Sequence, residues 1–76
     1  MNAKQLFDTI LRQITVYDDQ EAKEIVFWLM EYYLGLKKID IISDKTIDNQ
    51  PFIDWKSIIE RLNNHEPIQY ILGETE

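Results

Sequence analysis

The chemically versatile side chains of this chain gather in one closing string, HEPIQYILGE, from His65 to Glu74. His65 is the sole histidine, and a lone imidazole can move a proton near neutral pH. A metal site asks for several clustered ligands, and the sequence offers no cysteine to join it. A structural role is therefore expected for His65. The neighbouring carboxylates Asp18 and Asp19 could be imagined as an acid–base pair. They open an apolar-periodic stretch, however, where the helix dipole favours negative charge, so capping is the expected role. The run FWLMEYY, Phe27 to Tyr33, offers aromatic faces for stacking on bases. Proteins that stack bases set such rings in a positive groove, and Glu24 and Glu31 stand here instead, so the rings are expected in the core.

The elements that must position these residues follow from apolar spacing. Leu6, Phe7, Ile10, Leu11 and Ile14 recur at three and four, which predicts an amphipathic helix over residues 3–14. Asp18 as cap, Glu21 three residues on and Gly35 as stop bracket a second helix of about 17 residues. Its inner stripe is Ala22, Ile25, Val26, Leu29, Tyr32, Tyr33 and Leu36, and Phe27, Trp28 and Met30 carry the apolar surface almost around it. Such a helix belongs at the centre. Lys37 to Ile42 reads as a short helix, because a strand there would find no partner. Residues 43–53 read as a loop. Asp54 caps a helix through Asn64, with Ile53 and Ile58 placed as a hydrophobic staple and Trp55, Ile58, Ile59 and Leu62 facing inward. Asn63 and Asn64 suit a left-handed helix end, and Pro67 suits the first position of a last short helix closed by Gly73.

Length and composition bound what such a chain can be. Its 76 residues allow one small core, and a chain of this size buries only about 60 to 65% of its unfolded surface. Twelve isoleucines and seven leucines supply enough apolar volume to argue against disorder. The lack of cysteine leaves packing alone to hold the fold and suits a reducing, cytoplasmic setting. No apolar run approaches a membrane span, and the start MNAKQLFDTI lacks the apolar block of a signal peptide. Fourteen acidic against eight basic residues give a net charge of −6, with no basic stripe, which disfavours nucleic acid and favours a protein partner with a basic surface.

By physics alone, EPIQYILG is a short helix presenting Ile68, Ile71 and Leu72 to a core with Tyr70 on the flank. That leaves Glu66 unexplained at a cap position where Ser, Thr, Asp or Asn serve better. The string RLNNHEPIQYILGETE, Arg61 to Glu76, resembles the hinge end of the amino-terminal domain of the release factor glutamine methyltransferases, the HemK/PrmC family. The matching residues are Arg61, Glu66, Pro67, Tyr70, Gly73 and Glu76. EAKEIVFWLMEYYLGLKKIDII resembles the family's long second helix running into a short third one. His65 departs from the pattern, which commonly has Gly there; Asn63 or Asn64 is expected to supply the left-handed turn instead.

The resemblance implies an all-α fold, a small bundle of four to five helices over residues 1–76. It also implies that a full-length enzyme would use S-adenosylmethionine to methylate the Gln of the Gly-Gly-Gln motif in class I peptide-chain release factors. The family's Asn-Pro-Pro-Tyr signature and glycine-rich cofactor loop belong to a carboxy-terminal Rossmann-like domain, and neither string occurs in this sequence. The expectation is thus a docking domain with no catalytic, cofactor-binding or metal residues of its own. Its partners would be the release factor, basic because it works against ribosomal RNA, and the catalytic domain of the same protein. Arg61, Glu66, Pro67, Gln69, Tyr70 and Gly73 are the expected hinge or contact residues. The alternative is a free-standing acidic helical adaptor.

Overall fold

Among the described residues the periodic segments form five helices: α1 (Ala3–Gln13), α2 (Asp19–Leu34), α3 (Lys38–Ile42), α4 (Trp55–Asn63) and α5 (Ile68–Gly73). The computed structural model describes residues 2–47 and 52–73, so Glu76 and part of the expected 43–53 loop lie outside the described residues. Among those residues the fold is an all-α bundle, with one isolated antiparallel bridge between Asn2 and Thr46 and no strand. α1 packs on α2, α3 and α4, and α4 packs on α5.

Each helix starts for a reason visible in its residues. Asp18 accepts the Glu21 N–H at 2.8 Å, and Asp54 accepts the Ser57 N–H at 3.2 Å, satisfying amides that have no partner within the helix. Asp40 does the same for Lys37 at 3.0 Å, which fixes the short α3. α2 ends at Gly35, whose φ of 68° suits a residue without a Cβ and whose N–H donates to the Glu31 carbonyl.

α1 is held by residues far along the chain. At its start the Ala3 N–H donates to the Lys45 carbonyl at 2.8 Å and the Lys4 N–H to Asp44 Oδ1 at 3.1 Å. At its end the Asn63 amide donates to the Gln13 carbonyl at 2.9 Å and accepts the Thr15 N–H at 3.0 Å. The turn after α3 is therefore held twice, by its own closures, Asp44 N–H to the Ile41 carbonyl and Lys45 N–H to the Asp40 carbonyl, and by the start of α1.

The buried residues form one apolar cluster drawn from all five helices, with Ile10, Val26, Leu29, Met30, Leu62 and Ile71 almost fully enclosed. No polar or charged residue is buried among those described. Enclosing each such side chain contributes roughly 1.5 to 3 kcal/mol. Phe7 meets Phe27 with ring centroids 4.6 Å apart, joining α1 to α2, and Tyr33 meets Trp55 edge-on at 5.7 Å, joining α2 to α4. The central helix departs from expectation on one side: Trp28 and Tyr32 are 45% and 40% exposed. The inward stripe of α2 is already filled by Ala22, Ile25, Val26, Leu29 and Met30, leaving no interior space on the opposite side.

Candidate docking groove and the α4–α5 clasp

The turn from α4 to α5 positions the expected hinge residues. His65 itself takes the left-handed conformation, with φ 62°, while Asn64 has φ −91° and Asn63 remains inside α4. The expectation that an asparagine would supply this turn is thus corrected. The His65 N–H donates to the Leu62 carbonyl and the Glu66 N–H to the Arg61 carbonyl, at 3.0 and 3.1 Å. This double closure demands the left-handed residue at position 65 whatever its type, and the Asn63 amide is engaged with α1 instead. His is among the residues that tolerate this region better than most. The His65 ring meets Tyr17 edge-on with centroids 6.2 Å apart.

Arg61 and Glu66 are brought together by the same turn. Arg61 Nε donates to Glu66 Oε2 at 2.8 Å and its Nη2 donates to Oε1, a two-pronged pair across the base of α5. The hydrogen bond from Arg61 holds the Glu66 carboxyl below its ordinary value, with the Arg61 charge acting in the same direction and partial desolvation opposing both. Pro67 sits one position before the expected one: its carbonyl accepts the N–H groups of Tyr70 and Ile71, so it caps α5 and does not occupy its first turn. Ile68, Ile71 and Leu72 enter the core as expected, and the Tyr32 hydroxyl donates to the Leu72 carbonyl at 3.1 Å.

The remaining expected residues point elsewhere. Pro67 and Gln69 form one wall of an open groove of about 710 Å³ between α2 and the start of α5. Tyr70 stands 67% exposed outside that groove, and Gly73 is exposed at the last described position of α5. The structure therefore divides the string into an internal clasp, a groove wall and an outlying tyrosine.

The groove's other wall was not read from the sequence. Glu21, Glu24, Trp28 and Glu31 fall at steps of three, four and three, hence on one stripe of α2, and all four line the groove above a floor of Ile25 and Ile68. Lys38 reaches across to Glu24 at 3.4 Å and lies 5.2 Å from the Phe27 ring centroid. Three carboxylates against one ammonium leave the rim negative. The spacing carries this signal, but in the sequence Trp28 reads with the apolar surface of the helix, Glu21 as part of a cap, and Glu24 and Glu31 only as charges that disfavour base stacking.

With this geometry in place, comparison with known proteins decides the lineage. The family model of the PrmC N-terminal domain matches residues 5–73. The chain belongs to this family. It is also 31% identical over 64 residues to the release factor glutamine methyltransferase of Flavobacterium psychrophilum, an alignment that covers 82% of the chain and 22% of that protein. The chain thus spans about a fifth of the length of that relative. No solved structure is significantly similar.

A methyltransferase implies a place for S-adenosylmethionine, and the residues described do not fit one. A dinucleotide-like cofactor cradle needs a glycine-rich turn between a strand and a helix. The two glycines here serve helices, Gly35 as the stop of α2 and Gly73 as the last residue of α5. Among the described residues no three His, Cys, Asp or Glu side chains could hold a metal ion together, and no helix is long and apolar enough to cross a membrane.

Proposed function

We propose that this chain is the substrate-docking domain of a cytoplasmic, S-adenosylmethionine-dependent release factor glutamine methyltransferase. In this reading the full-length protein methylates the Gln side-chain amide of the Gly-Gly-Gln motif of class I peptide-chain release factors. The family match over residues 5–73 is the observation that carries it. The methyl donor, the catalytic groups and the transfer itself belong to a second, Rossmann-like domain of the same protein. This domain contributes position: a contact remote from the reacting atoms orders a mobile loop before reaction and so lowers the entropic barrier to attack.

The string around α5 takes two parts in that task. Arg61 and Glu66, with Pro67 at the start of α5, fix α5 against α4, and Gly73 lies at its far end, where the next domain would follow. Gln69 and Tyr70 face outward and are available for contact. The test compares the full-length methyltransferase with a version lacking residues 1–73, following methylation of purified release factor by peptide mass. Loss of docking raises KM for the release factor about tenfold or more and leaves kcat at saturation much less affected. An unchanged KM in the shortened enzyme counts against the docking role and in favour of an acidic adaptor that serves another protein.

A further inference from the structure

We propose that the groove between α2 and the start of α5 seats a cationic, amphipathic segment of the partner protein, with Trp28 as the central contact. The identity of that partner as a release factor rests on the reading above; the chemistry of the segment rests on the groove. Glu21, Glu24 and Glu31 flank Trp28 on a single stripe of α2, so one aromatic face is set within a line of three carboxylates. A segment with lysines or arginines three or four residues apart matches that line, and its apolar side chains fit the floor of Ile25 and Ile68.

Three other occupants are disfavoured by the same charge. A second copy of the chain brings its own net charge of −6 to a negative rim. A phosphate backbone and an anionic lipid surface meet the same repulsion. A guanidinium or ammonium, in contrast, gains both the carboxylates and the face of Trp28, and Lys38 beside Phe27 already shows that this surface accepts a cation over an aromatic ring. A half-exposed tryptophan ringed by polar groups is the kind of side chain that dominates a protein interface.

The test follows amide shifts of the isotope-labelled chain, which has its own apolar core, with two probes in separate titrations. One probe is purified class I release factor; the other is a synthetic amphipathic peptide of lysine and leucine, with a glutamine-for-lysine version as its control. Shifts confined to residues 21–31 and 67–69, with the charged peptide and not with its neutral version, are the expected result. Trp28→Ala weakens binding about thirtyfold. Glu21→Gln with Glu31→Gln, which leaves the Lys38–Glu24 pair intact, weakens it about tenfold at low salt and less at high salt. Asp8→Asn with Glu60→Gln removes the same charge from other faces and changes affinity less than about twofold. If Trp28→Ala disturbs the fold, the glutamine pair carries the test alone. Release-factor shifts on another face overturn the groove and spare the docking function. Peptide shifts in the groove with no release-factor binding uphold the groove and overturn the release factor as its partner. No shift in the groove with either probe overturns the proposal.

Discussion

Glu66 is a carboxylate whose acidity is set by its neighbour. Arg61 holds it below its ordinary 4.5, so the pair's contribution to stability is complete above that pH and disappears as pH falls through the lowered value. Glu66→Gln should therefore melt below the natural chain at pH 7, with the two curves converging as pH drops well below 4.5. Melting series across that range by circular dichroism check it; a gap that does not change with pH would show that the ionisation of Glu66 does not set the pair's contribution, and no gap at pH 7 that its shape alone suffices. His65 gives a second residue-scale expectation. A non-glycine residue held at φ 62° carries about 1 kcal/mol of backbone strain. His65→Gly relieves that strain but loses a ring contact and about 0.4 to 1 kcal/mol of unfolded-state restriction, so the denaturant midpoint should scarcely move. A drop in denaturant midpoint would mean that the Tyr17 contact outweighs the strain.

At the scale of elements, the most exposed dependence is the end of α1. The Asn63 amide both donates to Gln13 and accepts from Thr15, so Asn63→Ala leaves two backbone groups without these partners. The expected cost is about 1 to 2 kcal/mol, read as a lower denaturant midpoint with an unchanged slope. Asn63→Asp keeps the acceptor and loses the donor, and should fall between. This residue also marks the limit of what could be read from sequence. The helices themselves were legible because their signals are local: Asp18, Gly35 and Asp54 sit where a cap must sit, and Leu6, Ile10, Ile58 and Leu62 recur with the helical period. Asn63 was legible only as a residue that suits a helix end. Its actual partners lie 48 and 50 positions away, and nothing in the neighbouring sequence points to them. The left-handed turn was misplaced by one or two residues for a related reason, since it is fixed by the double closure onto Arg61 and Leu62. The closing string was legible as a motif, but the groove was not. Apolar periodicity cannot tell an aromatic residue that faces the core from one on the far side of a helix whose inner stripe is already full.

Across the whole molecule, dimensions explain how little stability is in reserve. The chain spans 31 × 28 × 17 Å, less than two helix diameters in its thin direction, so a single layer of side chains makes the core. A domain of this length has about 4 to 11 kcal/mol of total stability. Leu62, fully enclosed on α4, touches that single layer from its middle, and Leu62→Ala should cost about 2 to 5 kcal/mol, a large part of the whole. Chemical denaturation monitored by tryptophan fluorescence checks it; a cost under 1 kcal/mol would show that the layer closes around the vacancy.

The contacts at the two ends of α1 have a kinetic consequence as well. First-turn amides of a helix near a chain terminus ordinarily exchange with solvent fastest, because nothing must open but the terminus itself. Here the N–H groups of Ala3 and Lys4 are bonded to Lys45 and Asp44, and that of Thr15 to Asn63. The Ala3 hydrogen can leave only when the segment at Lys45 lets go, whereas those of Lys4 and Thr15 are freed when the Asp44 or Asn63 side chain turns away. Deuterium uptake at residue 3 should therefore be slower than at residues 4 and 15, and α1 should not fray from its first amide.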